Sequence, residues 1–234
     1  MIQQGYRLSW RAGLFHWIKK AGVRPIGICE ALRRIIGNAV MDIFKIDALK
    51  AAGGVQLCAG HESSAVAAMR AMRTTFEEAA TDAILFVDAE NAFNNLNRKV
   101  ALLNIRFVCP SISPILINCY RESTSLFVGR SVISSQEGTT QGDPLAMAMF
   151  AMASIPFAQR IACERNVQTW CADDAASGGI LRSIRQWWDN LSVHGPKYGY
   201  FANVAKTFLL VKNEKFSEAK EIFAGTGIRI TIEG

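Results

Sequence analysis

Metal-ligand spacing of the zinc-module kind is missing from this sequence. Its six cysteines (Cys29, Cys58, Cys109, Cys119, Cys163 and Cys171) form no CxxC pair, and His16, His61 and His194 stand at no ligand spacing from them. The thiols read as reduced and mostly buried, which places the chain inside a cell, in nucleus or cytoplasm. Long apolar runs are missing too. The longest, Pro144 to Ala158, falls short of the roughly 20 residues that span a bilayer and reads as a buried helix, so no membrane partner is expected. Met1 to Tyr6 is polar and shows no cleavable signal. Repeats, low-complexity tracts and Pro/Gly/Ser-rich linkers are also absent, which argues against loosely tethered domains. What is present is 234 residues, 50% of them hydrophobic, enough for one large domain or two closely packed lobes.

Charge is unevenly placed. Residues 1–34 hold Arg7, Arg11, Lys19, Lys20, Arg24, Arg33 and Arg34 against the single acid Glu30, while the rest of the chain is neutral. A basic end on a neutral body suits a polyanionic partner, because clustered cations release counterions from phosphate backbones. A solvated amphipathic face would give the same pattern.

Residues 28–46 read as a helix with Leu32, Ile35, Ile36, Ala39, Val40 and Ile43 on its core side. A second helix is expected over 62–79, with Ala65, Val66, Met69, Met72 and Phe76 inward. Ala83 to Val87 is an unbroken apolar run ending at Asp88, the pattern of a central strand that delivers an acid to its edge. Helices follow near 97–107 and from Ser113-Pro114 to about 121, then a hairpin over 126–134 broken at Gly129. Asp143-Pro144 starts a long helix to 163. Residues 167–177 form a second hairpin with Asp173 and Asp174 at its turn, and a helix over 180–193 stops at His194-Gly195-Pro196. Phe208 to Val211 supplies a further strand.

Without the 97–134 insertion, the order from residue 83 is strand, helix, strand, strand, helix, strand, the split ferredoxin-like βαββαβ pattern of an antiparallel sheet backed by helices. In that topology the first strand lies beside the hairpin, so Asp88 meets Asp173 and Asp174 across 85 residues of sequence. Three converging carboxylates repel one another unless cations neutralise them. Hard oxygen ligands select magnesium, and two such ions perform in-line phosphoryl displacement. An Asp-Asp pair taken alone is more often a solubilising turn. Here it sits between apolar strands.

The motifs resemble the reverse transcriptase family of retroelement type, over about residues 22–212. Val87-Asp88-Ala89-Glu90-Asn91-Ala92-Phe93 is similar to the family's first aspartate motif. Thr140-Gln141-Gly142-Asp143-Pro144-Leu145 is similar to its Gln-Gly-x-Pro motif, and Cys171-Ala172-Asp173-Asp174 to its aromatic-Ala-Asp-Asp turn. The resemblance implies an α+β polymerase right-hand palm at 81–234, with a helical, partial fingers portion at 1–80 and no recognisable thumb. It implies an RNA-directed DNA polymerase of a mobile element, taking an RNA or DNA template, a DNA primer and dNTPs. Two Mg2+ ions, replaceable by Mn2+, would be held by Asp88 and Asp173 with Asp174 supporting. Phe93 would crowd a ribose 2′-hydroxyl, Gln141 and Gly142 would shape the pocket floor, and Arg24 in Gly22-Val23-Arg24-Pro25-Ile26 would reach the triphosphate, followed by Arg33 and Arg34. Lys206, after Gly199-Tyr200-Phe201-Ala202-Asn203, would protonate departing pyrophosphate. Phe93 as a core aromatic, Lys206 as a structural lysine and Arg33 and Arg34 as surface arginines are the plainer alternatives.

Two departures stand out. Cys171 replaces the family's bulky residue and reads as an inert buried thiol, since no Lys or Arg adjoins it. Residues 228–232 alternate like a strand that would begin a primer-holding hairpin, and Met1 to Ala21 carries no motif that can be placed. The rival readings are an inactive nucleic-acid-binding remnant and an RNA-dependent RNA polymerase. The latter typically carries Gly-Asp-Asp, where this chain has Ala-Asp-Asp.

Overall fold

The computed structural model describes residues 12–19, 22–59, 63–128 and 130–232, with the backbone alone at 12–19, 22–26 and 28. The described part opens on an antiparallel hairpin, β1 (Ala12–Lys19) and β2 (Gly22–Cys29), with Ala12 opposite Cys29 and Lys19 opposite Gly22. A helical start was expected here. Phe15, Trp17, Ile18, Val23 and Ile26 carry the strand propensity, but a polar-apolar alternation is lacking. The pairing that completes this sheet is also remote in sequence: Ala12 lies parallel to Leu126.

Helix α1 (Ala31–Ala52) is longer than the pattern indicates, and it faces the other way. Val40 is buried, but Leu32, Ile35 and Ile43 are 55%, 66% and 73% exposed. Its inward positions are Arg33, Gly37, Val40, Ala48 and Ala52. Gly37 explains the choice, because a Cβ there would come within 3.1 Å of Pro144 Cβ. The helix packs where it is thin, and its large aliphatics stay outside. Helix α2 (Ser64–Glu77) buries Met72 and Thr75 while Val66 and Met69 remain exposed.

Strand β3 (Ala83–Val87) is central as its apolar run requires. Its alternate residues serve two layers. Ile84 and Phe86 pack with Met72 and Phe76 of α2, whereas Leu85 and Val87 join the main core. The short α3 (Ala92–Asn95) leads to α4 (Arg98–Val108), capped by the Asn97 side chain accepting from Val100 N at 3.1 Å. In α5 (Ser113–Tyr120) the cap is Ile112, one residue earlier than Ser113-Pro114 suggests, and the Ser113 hydroxyl donates to Pro110 O instead. Strands β4 (Thr124–Val128) and β5 (Ser131–Ser135) complete a sheet of order β2-β1-β4-β5. Gly129, expected to break this hairpin, lies outside the described residues.

Helix α6 (Ala146–Ile161) buries twelve of its sixteen residues and runs through the core, a use that fits an apolar segment too short for a bilayer. Strands β6 (Asn166–Cys171) and β7 (Asp174–Gly179) form the second hairpin. Helix α7 (Leu181–Tyr198) continues through His194-Gly195-Pro196, where a stop was expected. Pro196 falls in the last turn, where the helix ends anyway, and Gly195 admits Tyr200 O to 2.4 Å from where a Cβ would stand. Strand β8 (Phe208–Val211) pairs with β3. After α8 (Phe216–Ile222), β9 (Arg229–Thr231) returns parallel to β8 as the last strand of the described sheet, within the stretch 228–232 that was expected to be a strand.

The second sheet has the order β6-β7-β3-β8-β9, antiparallel except for the last pair. Beyond β6, Leu57 N donates to Trp170 O at 2.8 Å and Trp170 N donates to Val55 O at 2.9 Å, so residues 55–57 extend the sheet edge. Among the described residues no helix is long and apolar enough to cross a membrane.

Candidate active site

One antiparallel pairing closes the 85-residue gap between the acids. Val87 lies opposite Ala175, which sets Asp88 just beyond the sheet edge at which β7 begins with Asp174. Cys171 pairs with Asp174, leaving Ala172 and Asp173 as a two-residue reversal. Buried Tyr200 stands among all three acids. Its hydroxyl donates to Asp173 O at 2.9 Å, and its pKa is held well above the usual phenol value, first by burial and then by the charges of Asp173, Asp174 and Asp88.

The reversal is held in an unfavourable backbone shape. Ala172 has φ 56°, a left-handed conformation that costs an L-residue about 1–2 kcal/mol. Gln56, 1% exposed, compensates. Its Oε1 accepts from Ala172 N at 2.9 Å, and its Nε2 donates to Ala172 O and to Ser154 Oγ, both at 3.1 Å. One side-chain amide thus satisfies both backbone groups of the strained residue. Gln56→Ala leaves those groups buried and unpaired, with an expected loss of about 2–3 kcal/mol, read as a lower urea midpoint with the m-value unchanged.

Residues 200–206 are laid against the other acid. Glu90 N donates to Phe201 O at 2.7 Å, Asn203 N donates to Asp88 O at 2.7 Å, and Ala89 bridges to Ala202. This brings Lys206 Nζ to 3.1 Å from Asp88 Oδ2. That oxygen is buried and receives no hydrogen bond of good geometry, so the ammonium neutralises it by proximity.

The other expected site residues are spread more widely. Phe93 is half-buried and stacks on Phe150 with ring centroids 4.6 Å apart. Gln141 O accepts from Gly27 N at 2.7 Å, and a Cβ on Gly27 would stand 2.2 Å from Thr140 Cγ2, so a larger residue there would displace the Thr140 side chain. Gly142, with φ 102°, is exposed. Arg24 sits on β2 opposite Trp17, and its side chain lies outside the described residues. Arg33 is no surface arginine. Its Nε donates to Asp143 Oδ2 at 3.0 Å and its Nη2 pairs with the same oxygen, at side-chain exposures of 9% and 2%. Asp143 also accepts from Tyr120 Oη at 2.8 Å and from Leu145 N at 3.1 Å. Burial works against the Arg33 charge, but Asp143 outweighs it and raises the guanidinium pKa. Tyr120 is pushed well above the usual phenol value, by burial first and then by Asp143.

Gln56 was not among the expected site residues, and Arg33, expected to follow Arg24 toward the triphosphate or to lie on the surface, is instead the buried partner of Asp143. Gln56 left one faint trace, the alternation Val55-Gln56-Leu57-Cys58 between a glycine pair and a helix. The cysteines differ from expectation as well: Cys58, Cys119, Cys163 and Cys171 are only half-buried.

The carboxylates at this edge are hard oxygen donors of the type a magnesium ion would need. Asp88 offers a buried carboxylate oxygen, and half-buried Asp173 and exposed Asp174 come from the adjacent turn. Among the described residues no three His, Cys, Asp or Glu side chains are already drawn into a coordinating group. Lys206 stands as the counter-charge of Asp88.

The chain matches no protein-family model, and no curated protein is similar to it in sequence. Solved structures are similar in fold. The apo telomerase from Candida tropicalis truncated from its C-terminal domain superposes with a TM-score of 0.66 at 12% identity, over 91% of this chain and 52% of that one. The apo telomerase from the same organism gives 0.63 at 10% identity, over 87% and 45%. Telomerase from Candida albicans in complex with a TWJ fragment of telomeric RNA gives 0.59 at 12% identity, over 87% and 43%. This chain spans about half the length of these structures. Their likeness shows a mixed α+β fold similar to that of these telomerase structures.

Proposed function

We propose that this chain is the palm and part of the fingers of an RNA-directed DNA polymerase of a retroelement, extending a DNA primer on an RNA or DNA template from dNTPs. The observation that carries the reading is the register that sets Asp88 beside the Ala172–Asp173 reversal, within a fold similar to telomerase. The strand order β6-β7-β3-β8 supports this reading, being the order that a ferredoxin-like palm would have.

Asp88 and Asp173 would hold two magnesium ions with Asp174 in support; when bound, these supply activation of the primer hydroxyl and charge stabilisation of the leaving oxygen. The protein's own groups do the rest. Gln56 and Tyr200 fix the reversal so that Asp173 needs no reorganisation, and the Asn203-to-Asp88 backbone bond fixes the second carboxylate. Lys206, whose Nζ stands 3.1 Å from Asp88 Oδ2, would protonate departing pyrophosphate. Phe93, braced on Phe150, would exclude a ribose 2′-hydroxyl. Gln141 and Gly142 would form the pocket floor, tied to β2 through Gly27, and Arg24 on that strand would meet the triphosphate.

The test is extension of a labelled DNA primer on an RNA template by the purified chain with Mg2+ and dNTPs, beside Asp173→Ala. Extension by the native chain and none by the variant is the expected result. Salt-sensitive template binding without extension from either protein would overturn the activity in favour of a nucleic-acid-binding remnant. Preference for ribonucleotides would reassign it as an RNA polymerase.

A further inference from the structure

Cys58 and Cys171 lie 113 residues apart in sequence, yet their Sγ atoms are 3.0 Å apart. Ser64 Oγ stands 3.5 Å from the first sulfur and 3.9 Å from the second. Both cysteines are free thiols and both are half-buried, so a small reagent can reach them. The backbones that carry them are already fastened together. Leu57 N and Trp170 N make reciprocal bonds across the sheet edge, and Gln56 bonds both backbone groups of Ala172. To form a covalent bond the sulfurs must close by about 1 Å, a change on the scale of a side-chain rotation.

We propose that Cys58 and Cys171 form a modification site: a dithiol that a hydroperoxide closes into a disulfide, cross-linking residues 55–58 to the end of β6 beside Asp173. In the first step Cys58, as its thiolate, attacks the peroxide, and Cys171, whose thiol pKa burial pushes up to about 11, is the resolving partner. An S–O bond forms and the O–O bond breaks, giving a sulfenic acid and, from hydrogen peroxide, one water. In the second step the neighbouring thiol attacks that sulfur and displaces the hydroxyl as a second water. Two thiols and one hydrogen peroxide thus become one disulfide and two waters, with the sulfurs losing two electrons and the peroxide gaining them. The site stands whatever chemistry the acids perform. Its effect is mechanical, because the cross-link encloses a loop of over a hundred residues and joins the segment that carries Gln56 to the strand that carries the reversal.

The full-length chain is treated with hydrogen peroxide, digested without reduction and mapped by mass spectrometry, with its melting temperature followed in parallel. The expected result is a peptide pair joining Cys58 to Cys171 and a melting temperature raised by about 5–10 °C, both reversed by dithiothreitol. Amide exchange at Leu57 and Trp170 slows in the oxidised form. Cys58→Ser and Cys171→Ala each abolish the cross-link and the shift, while Cys163→Ser keeps both. A disulfide between other cysteines, or oxidation of these two only as far as sulfinic acid, would overturn the proposal. So would a shift that survives Cys58→Ser.

Discussion

On the proposed function, Asp88→Asn is expected to slow primer extension by about a thousandfold or more and to change the melting temperature by no more than a few degrees. A thousandfold corresponds to about 4 kcal/mol of transition-state stabilisation, the scale expected when a carboxylate that holds a catalytic metal loses its charge. The fold does not depend on that charge. Asp88 is anchored by its carbonyl, which accepts from Asn203 N, and asparagine keeps that bond. The ion pair with Lys206 joins side chains 29% and 59% exposed, so solvent limits its contribution to about 1 kcal/mol or less. Removing one negative charge beside Asp173 and Asp174 offsets part of that loss. Single-turnover extension and a melt followed by the fluorescence of the buried Trp170 and Trp187 separate the two effects. Extension within tenfold of the native chain would remove Asp88 from the metal-holding set. A collapse in melting temperature with lost extension would make it a structural residue.

The parts legible in the sequence are those whose information is local. An unbroken apolar run ending at an acid marks β3 and Asp88. An apolar stretch interrupted by Asp173 and Asp174 marks the β6–β7 hairpin, and the fifteen-residue apolar segment marks α6. What escaped is set by partners far along the chain. Helix α1 presents its richest apolar stripe to solvent because Pro144 and Leu145 require a thin face at Gly37, and nothing near residue 37 announces them. The β1–β2 hairpin joins a sheet whose other half begins at residue 124. The strand at residues 229–231 looks the same in sequence whether it returns antiparallel or, as here, crosses over through α8 to run parallel. In the site, the acids were legible by motif, but Gln56 shows its use only when Ala172 turns left-handed beside it.

Arg33→Met destabilises the fold by about 3–5 kcal/mol, and adding Asp143→Asn to it restores part of the loss. The single change strands a carboxylate that is 2% exposed, and a buried charge without its partner carries most of the desolvation cost that the pair had shared. Tyr120 Oη and Leu145 N still donate to that carboxylate, which stops short of neutralising it. An asparagine in its place can accept from Leu145 N through its oxygen and donate to Tyr120 Oη through its NH2, and it removes the charge, so the double variant is more stable than Arg33→Met alone. Equilibrium unfolding in urea of both single variants and the double gives the coupling directly. Strictly additive losses would show that Arg33 acts through packing, its guanidinium lying 5.7 Å over the Tyr120 ring, with little contribution from pairing. The consequence reaches the site. Asp143 follows Gln141 and Gly142 directly, so the same pair that fastens α1 to the head of α6 fixes the loop that would floor the nucleotide pocket. A variant that survives folding with this pair broken is expected to extend primers with a raised KM for dNTPs and a less affected kcat, because the acids are carried by a different part of the sheet.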